Sequence, residues 1–120
     1  MVGQTLIHRV TMFKIPAPEN QKKLLAAYEQ LAKDQAKDGK PYIPFICAGA
    51  AYEDARSKGY TVVAKTEFYN LEDMAFYDKE CAAHAALKKT AATLGVSEPP
   101  LTVYFSGEPL LNLTGTAPAS

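Results

Sequence analysis

His8 and His84 are the two histidines of this chain and its best candidates for acid–base chemistry. Imidazole is the side chain whose ordinary pKa lies near neutrality, so it can take and give a proton at physiological pH. His8 lies near the start of the chain in 5–14 (TLIHRVTMFK), and His84 lies in the alanine-rich 76–87 (FYDKECAAHAAL). If the fold brings both histidines to one pocket, the chain is a candidate for a small enzyme that uses no cofactor.

The composition predicts one domain and excludes several classes of partner. Thirteen basic residues balance thirteen acidic ones in 120 residues, which argues against binding to nucleic acid. No apolar run approaches the roughly 20 residues that cross a membrane, and no secretory signal is visible at the start. We therefore expect a cytoplasmic protein with no membrane partner, in which Cys47 and Cys81 are reduced. The histidines lack the spacing of a metal site, so no metal is predicted.

The hydrophobic pattern predicts six elements in the order strand, helix, strand, strand, helix, strand. The first helix follows Pro16–Pro18 and ends near Gly39, because glycine and proline stop a helix there. Pro44 cannot donate a hydrogen bond to a neighbouring strand, so the second strand is placed at an edge of the sheet. Asn70 is predicted to cap the second helix. The predicted strands are 5–14, 42–52, 60–69 and 101–106, and the second helical region is 71–94.

This order is typical of the α+β, ferredoxin-like βαββαβ protomer, an antiparallel sheet with its helices on one face. We predict one such domain over 1–108 and a loosely held tail over 109–120. On the first strand, Leu6, His8, Val10 and Met12 alternate with Ile7, Arg9, Thr11 and Phe13, and the set containing His8 is predicted to face the helices. The other set then needs a cover. A second copy of the sheet provides it, which predicts a homodimer that pairs through its sheet faces.

Tyr77 and His84 lie seven residues apart and share one flank of the second helix if that helix is unbroken. With Tyr28 on the first helix, Tyr77 could donate a phenolic hydrogen bond to an enolate oxygen. The alternative is that these tyrosines only pack, and that His8 is a core histidine bonded to a backbone carbonyl or to a hydroxyl group on a helix. Arg9, Lys65 and Glu67 are predicted to point away from His8 and to form ion pairs in the dimer interface.

Several segments occur in the order and spacing of a known family. The opening 7–14 (IHRVTMFK) resembles the start of the stress-responsive A/B barrel (Dabb) domain. Three later segments also resemble it, in the same order: 58–61 (KGYT), 68–73 (FYNLED), and Tyr77 followed by 82–84 (AAH). The resemblance covers roughly 6–106.

The resemblance implies a dimeric α+β barrel with a cavity between each sheet and its own helices. The family includes stress-associated proteins without a settled activity and a plant polyketide cyclase that uses a first-strand histidine and a late helical histidine. His8 matches the first of these and His84 the second. Val62 stands where that cyclase has a further histidine, and the usual His-Pro-Ala-His run is replaced by 80–84 (ECAAH). These departures leave the substrate and mechanism open.

The leading hypothesis is a cofactor-independent enzyme acting on a hydrophobic, carbonyl-bearing, polyketide-like small molecule by aldol-type cyclisation, dehydration or a lyase step. The catalytic candidates are His8 as general base, His84 as its acid or partner, and Tyr28 and Tyr77 as hydrogen-bond donors. The alternative is a non-catalytic stress-response barrel that binds an apolar ligand. Haem binding, known in other dimeric α+β barrels, has no specific ligand here to support it.

Overall fold

The structure is a computed structural model, and it describes residues 5–112. Within this range the chain forms four strands, three α-helices and one short 3₁₀ helix at Ala55–Ser57. In chain order these elements are β1 (Ile7–Phe13), α1 (Pro18–Asp34), β2 (Phe45–Ala50), β3 (Val62–Phe68), α2 (Leu71–Lys79), α3 (Ala82–Ala91) and β4 (Leu101–Ser106).

The four strands form one antiparallel sheet in the order β2-β3-β1-β4. The central strand β1 pairs with β3 on one side and β4 on the other, so that Val10 lies opposite both Lys65 and Val103. The predicted ferredoxin-like α+β fold is confirmed. The strand that follows Pro44 lies at an edge of the sheet, as expected for a chain that lacks a hydrogen-bond donor there.

Helix α1 packs against the sheet through Leu24, Tyr28 and Leu31, which are all buried. It ends at Asp34, earlier than predicted, because Gln35 is already extended. The buried side-chain oxygen of Gln35 accepts hydrogen bonds from the backbone N–H groups of the residues at 42 and 43, at 2.9 and 3.1 Å. This side chain thus holds the start of the next segment against the helix end, and Gly39 serves only the turn that follows, with a φ of +77°.

The second helical region is divided at Glu80 and Cys81, where a single helix over 71–94 was predicted. The backbone N–H groups of these two residues both donate to the carbonyl oxygen of Phe76, at 2.8 and 2.9 Å. Cys81 is extended, and α3 begins at the next residue. The predicted cap at Asn70 is confirmed, since its side chain accepts a hydrogen bond of 2.8 Å from the backbone of Asp73.

The prediction for the two faces of β1 is wrong. Phe13 is buried in the core with Val62, Ala64 and Phe68 of β3, so the set of β1 residues containing Phe13 faces the helices. His8, Val10 and Met12 therefore lie on the opposite, helix-free face of the sheet. Successive residues of a strand point to opposite faces, and both sets of β1 residues contain apolar side chains. Alternation alone therefore does not tell which set faces the helices.

Part of the predicted tail at 109–120 lies outside the described residues, since the structure describes the chain only to residue 112. Within 5–112, no helix is both long enough and apolar enough to cross a membrane.

Candidate active site

A cavity of about 700 Å³ lies between the helix-facing side of the sheet and the helices. Its walls come from β1, β3, α1, α2 and α3 and from the segment that leads into β4. The apolar part of the lining comprises Phe13, Ala64, Leu87, Ala91, Ala92, Val96, Pro99 and Pro100. The titratable side chains of the lining are Arg9, Tyr28, Tyr77, Asp78, His84, Lys88 and Glu98. A pocket of this size and mixed character fits a small organic molecule.

Tyr77 and His84 are brought together although the helix between them is broken. Their rings stack with centroids 3.6 Å apart and planes inclined by 10°. His84 Nδ1 lies 2.8 Å from the backbone carbonyl oxygen of Tyr77. The turn at Glu80 and Cys81 therefore preserves the contact that an unbroken helix predicted. It does so by seating the start of α3 against the end of α2.

The hydrogen bond of His84 determines which ring nitrogen is available for chemistry. A carbonyl oxygen can only accept, so Nδ1 carries the proton and Nε2 carries the lone pair. Nε2 makes no hydrogen bond with a described residue, and it is accessible to solvent. Because only 6% of His84 is exposed, the accessible part of its ring opens to the cavity.

Burial lowers the pKa of His84 from 6.5 to about 4, although the hydrogen bond to the Tyr77 carbonyl opposes this shift. The positive charges of Lys88 and Arg9 lower it further. His84 is therefore a neutral imidazole near pH 7, in the tautomer that can accept a proton at Nε2.

The same shift predicts a pH dependence of stability. In the unfolded chain His84 takes up a proton near pH 6.5, but in the folded chain only near pH 4. Between these values the unfolded state binds more protons than the folded state. The contribution of His84 to the free energy of unfolding is therefore at its maximum above pH 6.5. It falls as the pH is lowered towards 4, by roughly 3 kcal/mol in total.

Urea denaturation of the wild type and of His84→Gln at pH 7 and pH 4.5 measures this effect. The wild type should lose more stability than the variant on acidification. Equal losses in the two proteins would contradict a buried, neutral His84.

Tyr28 and Tyr77 both line the cavity. Burial raises the pKa of both phenols well above its usual range, with Arg9 opposing the shift, so both hydroxyls stay protonated. Neither hydroxyl forms a hydrogen bond with a described residue, and both are accessible to solvent. The two hydroxyls are therefore donors that an occupant of the cavity can use.

Arg9 was assigned to the wrong face of the sheet. It was predicted to form an interface ion pair, but it lies on the wall of the cavity. Its Nη1 donates to Asp78 Oδ2 at 2.8 Å, and its guanidinium lies over the ring of Tyr77, 5.3 Å from the centroid. Alternation places Arg9 on the same strand face as Phe13, but it does not indicate that this face is the inner one.

His8 is not brought to the cavity, so the prediction that it shares a pocket with His84 is wrong. It lies on the helix-free face, stacked on Phe105 with ring centroids 5.1 Å apart. Its Nδ1 lies 3.3 Å from Glu67 Oε2 without forming a hydrogen bond. A Cβ at Gly107 would lie 2.9 Å from His8 Nε2, so the end of β4 also packs against the ring.

Lys65 and Glu67 share the helix-free face with His8, so the prediction that they point away from it is also wrong. Lys65 Nζ lies 3.1 Å from Glu67 Oε2, the same oxygen that His8 approaches. Cys47 is exposed on this face, whereas Cys81 is buried. In the part of the chain that the structure describes, no three histidine, cysteine or acidic side chains cluster as metal ligands would.

Comparison with known proteins agrees with this architecture. A curated relative from Gibberella zeae, described as a fusaristatin A biosynthesis cluster protein, is 42% identical over 99 residues, which are 82% of this chain and 71% of the relative.

Solved structures that resemble the fold include two with their own descriptions. A dimeric ferredoxin-like protein of unknown function from Thermobifida fusca has a TM-score of 0.69 at 15% identity, covering 88% of this chain and 94% of that one. The hydroxynitrile lyase from Passiflora edulis has a TM-score of 0.66 at 13% identity, covering 94% and 97%. The family model of the stress responsive A/B barrel domain matches residues 7–95. The chain belongs to the stress-responsive A/B barrel (Dabb) domain family.

Proposed function

We propose that this protein is a cofactor-independent enzyme that moves a proton on a hydrophobic, carbonyl-bearing small molecule. One observation carries the proposal: His84 is held as a neutral imidazole with Nε2 open to a 700 Å³ cavity beside Tyr77. The sequence suggested a pair of histidines. The proposed chemistry needs one histidine and the tyrosines that share its cavity.

In the proposed reaction, Nε2 of His84 takes a proton from the carbon next to the carbonyl group. The carbonyl oxygen becomes an enolate oxygen, and the hydroxyls of Tyr28 and Tyr77 donate hydrogen bonds to it. A base whose pKa is low in the empty site is weak. The enolate offsets this weakness, because a negative charge beside the imidazolium favours the protonated ring.

The enolate can attack a second carbonyl group, and the alkoxide that forms takes the proton back from Nε2 of His84, which completes an aldol-type cyclisation. The enolate can instead expel a group from the carbon next to the deprotonated one, and that group leaves with the same proton, which gives dehydration or a lyase step. The Gibberella zeae relative is described by its biosynthesis cluster and the Passiflora edulis protein is a lyase, and both descriptions support small-molecule chemistry for this chain. A polyketide-like substrate, which combines apolar carbon chain with several carbonyl groups, fits the mixed apolar and polar walls of the cavity.

We also propose that the protein is a homodimer that pairs through its helix-free sheet faces. Apolar side chains are exposed along this face, among them Phe45, Leu101, Val103 and Phe105. Leu101, Val103 and Phe105 follow one another on this face of β4, and exposed apolar side chains grouped in this way are typical of an interface. The similar Thermobifida fusca structure is described as dimeric, which supports the proposal. His8, Lys65 and Glu67 would then lie within the interface.

Deuterium exchange tests the proposed chemistry without knowledge of the natural substrate. A long-chain methyl ketone is incubated with the protein in D₂O, and loss of the signals of the protons next to the carbonyl is followed by NMR. We expect the protein to accelerate exchange over buffer by about 100-fold or more, the usual contribution of a positioned general base. Saturable binding of the ketone with no acceleration would favour the alternative, a non-catalytic barrel that binds an apolar ligand.

A further inference from the structure

The guanidinium of Arg9 has more hydrogen-bond donors than partners. An arginine carries five N–H donors, and those of Arg9 make one hydrogen bond with the described residues, from Nη1 to Asp78. Only 12% of its side chain is exposed, yet Nε and Nη2 are accessible to solvent. Because Arg9 lines the cavity, its remaining donors are available to whatever occupies it.

The other charges of the cavity do not satisfy these donors. Lys88 is a second cation in the lining, and its Nζ donates to the backbone carbonyl of Asp78 at 3.2 Å. The carboxylate of Glu98 lies 3.1 Å from Lys14 Nζ and is 56% exposed. Asp78, 40% exposed, is the anion that Arg9 contacts. The better buried part of the site therefore has positive charge left for a ligand.

Arg9 is also close to the proposed base. Its guanidinium lies over the ring of Tyr77, and His84 stacks on that same ring. An anionic group bound by Arg9 would therefore sit one aromatic ring from His84. The rest of the ligand would meet the apolar walls formed by residues such as Phe13 and Leu87.

We propose that Arg9 binds a free carboxylate of the ligand, so that the cavity selects an apolar oxo acid over its neutral analogues. A planar guanidinium matches a carboxylate in two parallel hydrogen bonds, the strongest form of this contact. Asp78 accepts a hydrogen bond from Nη1 of the guanidinium and therefore competes with the ligand. This inference rests on the proposed function only in taking the cavity as the substrate site.

Isothermal titration with decanoate and with its uncharged analogue decanamide tests the proposal. Arg9→Gln should weaken binding of decanoate about 10- to 100-fold, the usual loss for a hydrogen bond to a charged group, and leave decanamide within about twofold. Asp78→Asn should strengthen binding of decanoate because the competing carboxylate is gone. Arg56→Gln is the matched control, because Arg56 pairs with Asp54 in the exposed 3₁₀ helix and should leave both affinities unchanged.

Equal weakening of decanoate and decanamide in Arg9→Gln, or no weakening of either, would overturn the proposal. If Arg9→Gln does not fold by circular dichroism, Asp78→Asn decides, and unchanged or weaker decanoate binding in that variant overturns the proposal. Decanoate binding that depends on Arg9 would support this inference even if the exchange assay showed no catalysis.

Discussion

Replacing His84 by glutamine is expected to lower the protein-catalysed rate of α-proton exchange by about 100- to 10,000-fold, the range that a general base supplies. Glutamine can still donate a hydrogen bond to the backbone carbonyl of Tyr77, but it has no basic nitrogen to present to the cavity. The variant should therefore keep its fold and lose its chemistry. Exchange kinetics by NMR and a thermal melt at pH 7 measure the two effects separately.

The matched control is His8→Gln, the same substitution on the other face of the sheet. It should retain the exchange activity, because His8 does not line the cavity. Loss of activity in His8→Gln with His84→Gln still active would restore the first-strand histidine as the base and contradict the proposal. In the wild type the rate should fall only below about pH 5, because His84 in the free protein takes up its proton near pH 4.

Val103→Glu is expected to dissociate the proposed dimer. Val103 is 52% exposed in the protomer and lies opposite Val10 on the helix-free face, so the substitution does not disturb the protomer's own core. In a sheet-to-sheet dimer the new carboxylate would be buried, and Lys65, the cation in the same row across the sheet, already pairs with Glu67. Burial of the added charge therefore costs several kcal/mol. We expect the dissociation constant to rise by about 100-fold or more, as measured by analytical ultracentrifugation over a dilution series.

Leu71→Glu is the control for this experiment. Leu71 is a 56% exposed apolar residue at the start of α2, where a negative charge suits the helix, and it lies outside the sheet. This variant should remain dimeric. A Val103→Glu protein that dimerises as tightly as the wild type would show that the helix-free face is not the interface.

Local features predicted most of the elements. The bounds of β4 were predicted as observed, because its alternating apolar and polar residues lie between Pro100 and Gly107. Asn70 was predicted to begin a helix because its side chain can accept a hydrogen bond from a backbone N–H group that has no partner in the first turn. Helix α1 ended earlier than predicted because Gln35 bonds to backbone groups at 42 and 43, a contact that no local pattern shows.

The site was predicted in part. Tyr28, Tyr77 and His84 all line the cavity. The contact of Tyr77 with His84 was expected from an unbroken helix, but the turn at Glu80 and Cys81 between α2 and α3 is what brings them together. His8 and Arg9 were placed on each other's faces. They are neighbours on β1, and both faces of that strand carry apolar residues, so alternation paired the residues correctly without telling which set faces the helices.

The sequence by itself determined the order of the elements, the family and the residue types available for chemistry, because these depend on composition and short-range spacing. The tertiary structure decided which side of β1 is inside, because that depends on how Phe13 packs with Val62 and Phe68. It also decided the state of His84, since burial sets its pKa and the Tyr77 carbonyl selects its tautomer. The candidate site therefore contains Arg9 and one histidine, where the sequence suggested two histidines.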